Sequence, residues 1–293
     1  MRIVFVGTVE LSRRALECLL TMNAEIVGVC TLQDSKFNAD HVDLSALSAA
    51  HGIPWFYAED INSVEALSWI QDKSPDVIFC FGWSRLLKQD LLRLAPLGVV
   101  GFHPAALPAN RGRHPLIWAL VLGLEKTAST FFFMDAGADS GDILSQREII
   151  INDTDDACEL YDKVTQTALE QIEEFVPQLT KGTFKRKKQD HLLASTWRKR
   201  GSADGKIDWR MSAQSIHNLV RGLSKPYVGA HFTVKGQEIK LWKTAVVGIS
   251  SPNIEPGKVL MQTSAGPVVK CGEDAICLLI TEPKFEPLVG NYL

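Results

Sequence analysis

Four short apolar runs, each carrying at most one charge and that at its first position, constrain this chain more than any other feature. They are RIVFVG (2–7), EIVGVCTL (25–32), DVIFCFGW (76–83) and VVGFH (99–103). Runs of this length, rich in Val, Ile and Phe and without polar alternation, read as strands buried on both faces. Between them lie segments with helical spacing. ELSRRALECLLTMNA puts Leu11, Ala15, Leu16, Leu19 and Leu20 on one face, and SVEALSWIQDKSP stops near Pro75. Alternating strand and helix predicts an α/β, Rossmann-like domain around a mainly parallel sheet.

The chain has 293 residues, enough for two domains of ordinary size. Strand-like TASTFFFMDAG (127–137) and REIIIN (147–152) flank GADSGD, and a long amphipathic helix runs to Gly182. The texture then changes. Residues 181–206 hold nine Lys and Arg against Asp190 and Asp204, a local charge of +7 within a chain whose net charge is −3. The expected domains are therefore 1–182 and 204–293, joined by a basic linker over 183–203. Beyond one helix-like stretch, SAQSIHNLVRGLS, the C-terminal part reads as short strands between turn residues, a small and partly open β-barrel.

The six cysteines form no CxxC pair, no cluster has metal-ligand spacing, and no metal is expected. No apolar run reaches the roughly 18 residues of a membrane span, and the first strand begins at once. The expectation is a cytoplasmic protein with no membrane partner. A net charge of −3 argues against general nucleic-acid binding.

In such sheets ligands bind beyond the carboxyl ends of the strands. Gly7, Gly82 and His103 all fall there. There is no GxGxxG, so a dinucleotide site is not expected. His103 ends a buried strand beside a proline-flanked turn and is the first catalytic candidate. Asp139 and Asp142 lie among small residues in GADSGD. A carboxylate beside a histidine orients the ring and favours its charged form. Arg111, Arg113 and His114 in RGRHP are either a solvated basic turn or an anion site, since guanidinium forks match phosphate and carboxylate.

HPAALPANRG (103–112) and DAGADSGDIL (135–144) together resemble the signature of the folate-dependent formyltransferases. MRIVFVGT is similar to that family's first strand, and residues 204–232 to the start of its C-terminal domain. The likeness runs in order along nearly the whole chain. It implies transfer of a formyl group from N10-formyltetrahydrofolate, the cosubstrate, to an amine, and an OB-like second domain. It implies catalytic roles for His103 and Asp139, and for position 101, where the family has Asn and this chain has Gly101. It places the pterin near Phe81, Gly82, Trp83, Arg85 and Leu86 and against Gly137, Ala138 and Asp142. Gly7, Thr8, Pro104, Asn110, Arg111, Arg113 and His114 are the expected substrate contacts.

Two departures from the pattern matter. Gly101 removes a donor that would hold the formyl oxygen, a loss worth ~10²–10³ in rate; Asn110, His114 or a water are candidate replacements. The stretch DSKFNADHVD (34–43), a long basic loop in methionyl-tRNA formyltransferase, carries three Asp and one Lys. The first expectation is therefore a sugar N-formyltransferase acting on a nucleoside-diphosphate amino sugar for surface polysaccharide or glycan synthesis, with tRNA disfavoured. The alternatives are methionyl-tRNA formyltransferase acting on initiator Met-tRNA, another formyl-folate enzyme, and a catalytically weakened formyl-folate-binding homologue. In the second domain Trp209, Trp242 and Tyr227 are a packed core or a stacking surface, with core favoured; a homodimer interface is a further reading.

Overall fold

The computed structural model describes residues 1–35, 39–249 and 252–293. They form two compact units. The first comprises residues 1–112, 127–149 and 162–197, the second residues 113–126, 150–161 and 198–293.

In chain order the first elements are β1 (Arg2–Val6), α1 (Glu10–Thr21), β2 (Glu25–Thr31), α2 (Ser45–Ala50), β3 (Trp55–Tyr57), α3 (Val64–Asp72), β4 (Val77–Cys80), α4 (Gln89–Leu92) and β5 (Val99–His103). They are followed by β6 (Arg111–Gly112), α5 (Pro115–Val121), β7 (Lys126–Phe133), β8 (Ile143–Ile150), α6 (Ala157–Lys181) and β9 (Thr196–Trp197). A seven-stranded sheet runs β3-β2-β1-β4-β5-β7-β8. Its first five strands are parallel, and β7 joins β5 antiparallel. The mainly parallel sheet is as expected. Its strand order reverses between β1 and β4, which opens a crevice beyond their carboxyl ends.

The four apolar runs are strands because both faces are covered. Val4, Phe5, Val6, Ile78 and Phe79 are fully buried. Helix α3 begins at Ser63, whose hydroxyl accepts the Ala66 N–H at 3.2 Å. Helix α6 buries Leu160, Val164, Ala168, Ile172 and Phe175, and Phe175 meets Phe79 edge-on and Phe131 at a tilt in the core. The strand expected over 127–137 stops at Phe133, because Asp135–Asp142 form a turn that returns at once into β8. For the same reason β8 starts at Ile143 and not at Arg147.

The second unit holds α5 and α7 (Ala213–Gly222), which pack together, and the strands β10 (Ala230–Val234), β11 (Gln237–Val247), β12 (Val259–Gln262), β13 (Pro267–Lys270) and β14 (Ala275–Glu282). These form an antiparallel sheet in the order β10-β11-β14-β13-β12. One core joins Ile216, Leu219 and Val220 of α7 to Phe232, Leu241, Val259, Val269 and Ile276 of the sheet and to Ile117 of α5. Trp209 belongs to that core, with its ring 5.2 Å from Phe232. Tyr227 packs against it, while the half-buried Trp242 gives its indole N–H to Glu282. No helix among the described residues is long and apolar enough to cross a membrane.

Candidate active site

At the ends of β1 and β4 the chain turns tightly. The buried Ser12 hydroxyl accepts the N–H groups of Thr8 and Val9 and donates to Phe81 O at 2.6 Å, so one side chain joins both strand ends. Gly82 has φ +72, and a Cβ there would collide with Val9 and with Ser12 Oγ. Only glycine turns the chain at this point without strain. Thr8 is buried beside Gly7, and its hydroxyl lies 2.7 Å from His41 Nδ1. The segment after β2 is thereby tied down: Val42 N donates to Thr8 O and Glu10 N to Asp40 O. Residues 36–38 of the acidic stretch 34–43 lie outside the described residues.

At the end of β5, His103 is buried at 5% exposure. Its Nε2 donates to the Asn110 carbonyl at 2.8 Å, and Nδ1 lies 3.6 Å from Asp139 Oδ2. That second separation exceeds a hydrogen bond, and such pairs often tighten only when substrate arrives. The same Asp139 oxygen accepts the Gly112 N–H at 2.8 Å. The two motifs, 32 positions apart at His103 and Asp135, therefore meet through His103, Asn110, Gly112 and Asp139. Below them Thr130 Oγ1 donates to Ala105 O at 2.7 Å, fixing the turn that holds Pro104.

Gly101 sits in mid-sheet between Cys80 and Phe132. A Cβ there would lie 2.7 Å from Met134 Cγ, 2.9 Å from Met134 Sδ and 3.2 Å from Phe132 Cζ. Met134 thus fills the space a side chain at 101 would need. The position is bare because it is occupied from above, not because it opens into a void.

The other expected contacts divide. Phe81 faces the core, among Phe5, Phe79 and Phe131, so only its main chain is at the crevice. Trp83 is half-buried, and its indole N–H is buried with no partner among the described residues. Arg85 and Leu86 are exposed, with Leu86 O accepting from Asn62. Gly137 and Ala138 are exposed; Gly137 N donates to Asp135 Oδ1. Asp142 contributes its main-chain carbonyl, which accepts the Phe133 N–H. Arg111 gives Nη2 to Gln189 Oε1 at 2.6 Å and to His191 Nδ1 at 3.1 Å, while its Nε is buried and has no partner among the described residues.

Arg113 and His114 fall in the second unit. His114 has φ 56, and its Nδ1 is buried without a partner among the described residues. Burial, and then the charges of Arg113, Arg200 and Lys199, push its imidazole below the ordinary histidine range. There Arg200 lies over Trp118, and Arg198 pairs with Asp204.

Sequence reasoning missed one part of the site altogether. Much of the expected linker at 183–203 is a strap fastened to the first unit. Lys187 and Ile143 exchange main-chain bonds at 2.8 and 2.9 Å, and β9 pairs in parallel with β6. Ser195 Oγ accepts the Asn110 N–H, and Ser195 O accepts the Arg111 N–H. Gln189, 6% exposed, bonds to Asp139 O, Gly141 O and Arg111. The basic residues around these positions drew attention to charge, whereas much of the attachment is made by main-chain, amide and hydroxyl groups, with Arg186 adding a bond to Leu97 O and lying over the Phe133 ring. Among the described residues no group of three or more His, Cys, Asp or Glu is arranged to hold a metal ion.

Residues 1–176 match the formyl transferase family, and residues 200–286 match the formyl transferase C-terminal domain. The chain belongs to the formyl transferase family. A methionyl-tRNA formyltransferase of Geobacter metallireducens is 31% identical over 280 residues, covering 94% of this chain and 89% of that one. Among solved structures, the N-formyltransferase of Helicobacter canadensis, in complex with folinic acid and dTDP-3-aminofucose, superposes with a TM-score of 0.71. It is 16% identical and covers 95% of this chain and 99% of its own. HypX from Aquifex aeolicus superposes with a TM-score of 0.68 at 19% identity, over 94% of this chain; this chain spans 43% of that longer protein. At such identities the structures share the fold.

Proposed function

We propose that this formyl transferase moves the formyl group of N10-formyltetrahydrofolate to the amine of a nucleoside-diphosphate amino sugar, with His103 and Asp139 as its acid–base pair. The observation that carries the chemistry is the meeting of the two motifs at the end of β5. A buried imidazole lies 3.6 Å from a carboxylate that a main-chain N–H also holds. The folate reading has support from an unspent group. The Trp83 indole N–H is buried and unpartnered in the segment expected to face the pterin, and a ring with acceptor atoms would satisfy it.

The folate supplies an activated formyl carbon. The chain's residues must accept a proton from the neutral amine as it adds to the formyl carbon, stabilise charge on the formyl oxygen and deliver a proton to the departing nitrogen. His103 can serve in both transfers, and Asp139 holds the ring in register. In the free protein His103 gives its Nε2–H to Asn110 O, which fixes the plane of the ring. Gly101 contributes no side chain to this array.

The acceptor reading rests on charge. Asp34, Asp40 and Asp43 follow β2, and the Asp40 and Val42 main chain is tied to Glu10 and Thr8 at the end of β1. Carboxylates at that edge oppose a phosphate backbone. Initiator Met-tRNA is the second reading, supported by the 31% identity to a methionyl-tRNA formyltransferase over nearly the whole chain and by the +7 charge of 181–206. The test is to incubate the protein with N10-formyltetrahydrofolate and either UDP- and dTDP-linked amino sugars or Met-tRNA, and to follow tetrahydrofolate release. The expected result is turnover with one sugar, reduced ~10²–10⁴-fold by His103→Ala and strongly by Asp139→Ala. Turnover with tRNA alone would overturn the acceptor assignment. Absence of folate binding would overturn the donor.

A further inference from the structure

We propose that Gln189 is a positioning residue that sets where the Asp139 carboxylate stands against His103, an inference that rests on the acid–base reading of that pair. One buried carboxamide makes three bonds. Nε2 donates to Asp139 O at 2.8 Å and to Gly141 O at 2.7 Å, and Oε1 accepts from Arg111 Nη2 at 2.6 Å. Both hydrogens of one nitrogen are thereby spent on carbonyls two residues apart in the same turn. The orientation of the amide has no alternative. A flipped group would set an oxygen against two carbonyls and an NH2 against a guanidinium, pairing acceptor with acceptor and donor with donor.

The turn that Gln189 grips resists relaxation elsewhere. Asp139 has φ 52, in the left-handed region that aspartate enters more readily than most residues with a side chain. Gly141 passes so close to Phe133 O that a Cβ would not fit. The strap that presents Gln189 is pinned on both sides, by the Lys187–Ile143 pair and by β9 against β6. On the far side, Arg111 belongs to the two-residue strand whose Gly112 N–H holds the Asp139 carboxylate. Gln189 therefore fixes both the main chain of Asp139 and the neighbour of the group that orients its carboxylate. A displacement of about 1 Å in such a pair costs on the order of 10²-fold in rate.

The test compares Gln189→Leu with Gln171→Leu. Gln171 is likewise a buried amide, bonded to Ser145 Oγ and Ser129 O between α6 and the sheet, and neither of these bonds is to a residue of the two motifs. Two readouts are taken, amide hydrogen exchange at Gly112 and residues 139–142, and the steady-state kinetics of formyl transfer. The expected result for Gln189→Leu is at least tenfold faster exchange at Gly112. The kcat falls about 10²-fold, KM for the folate stays within about threefold, and the acid limb of the kcat–pH profile is displaced. Gln171→Leu changes melting temperature but neither that limb nor exchange at Gly112. Gln189→Glu keeps the Arg111 contact but sets an oxygen against both carbonyls; it gives the same losses should the leucine variant fail to fold. Unchanged exchange at Gly112 in both Gln189 variants, or equal kcat losses in the Gln189 and Gln171 variants, overturns the inference. A wild-type protein that transfers formyl to no amine sinks the acid–base reading instead, and the exchange data still decide whether Gln189 holds Asp139.

Discussion

The ends of β4 and β5 are neighbours in one sheet, yet they are built in opposite ways. At β5 most of the polar groups are already spent on the protein. His103 is held at Nε2, the Asp139 carboxylate at Oδ2, Asn110 at its N–H and carbonyl, and Gln189 at three bonds. At β4 the Trp83 N–H is unspent, and Arg85 and Leu86 are exposed. Groups that must react in a fixed geometry are fastened before substrate arrives, because reorganising them during the reaction would cost rate. Groups that must receive a ligand keep hydrogen-bonding capacity in reserve, because a donor already satisfied contributes little on binding.

The sharpest way to break the fastened end is Gly101→Asn. An asparagine there restores the amide that the family resemblance implies, but its Cβ meets Met134 Cγ at 2.7 Å in a packed layer. Overpacking of this kind costs roughly 1–3 kcal/mol. The variant is expected to melt several degrees lower without faster turnover. Adding Met134→Ala makes room and should recover most of the melting temperature. If Gly101→Asn alone is as stable as the wild type, Met134 moves freely and the end of β5 is looser than its contacts imply.

Trp83→Phe sharpens the contrast from the open side. It removes one buried unpartnered donor and keeps an aromatic ring. The stability of the free protein should stay level or rise slightly, since no hydrogen bond is lost. The dissociation constant for N10-formyltetrahydrofolate should rise about 3- to 10-fold, the value of one hydrogen bond. Folate titration by calorimetry reads both the affinity and the enthalpy. Unchanged affinity would remove Trp83 from the folate site and leave its N–H without a use.

How far these two ends were legible in the sequence follows from what each is made of. The strands were readable because RIVFVG and DVIFCFGW are buried on both faces and carry no competing period. His103 and Asp139 were readable because they lie in long ordered motifs. Phe81 was readable as present but not as core, since a phenylalanine at a strand end looks alike whether it faces a ligand or, as here, Phe79 at 5.2 Å. The strap was not readable at all. Gln189 and Ser195 act on carbonyls and N–H groups of residues about 50 to 85 positions away, and main-chain partners leave no pattern in the side-chain sequence. The composition of the second unit was hidden for a related reason. Ile117 follows the HP motif within 14 residues, but its apolar face belongs with Ile216 and Leu219, which only a long-range contact reveals.

The smallest expected effect tests the same contrast between spent and unspent groups at His114. Its Nδ1 is buried and unpartnered, and burial together with Arg113, Arg200 and Lys199 lowers its imidazole pKa from the ordinary 6.5. The folded state therefore binds its proton less readily than the unfolded chain does. In that case the unfolded state gains protons first as pH falls, and stability is lost from just below the unfolded value downward through the folded one. His217 shifts in the same direction, through burial and Arg221, and adds to the loss. His114→Asn keeps a residue that tolerates the left-handed conformation at φ 56 and removes the titration. Melting curves at pH 7 and pH 5 should show a smaller drop for the variant than for the wild type, by on the order of 1 °C. An equal drop would mean that the cations around His114 are screened by solvent, and that its unpartnered nitrogen has no energetic consequence in this pH range.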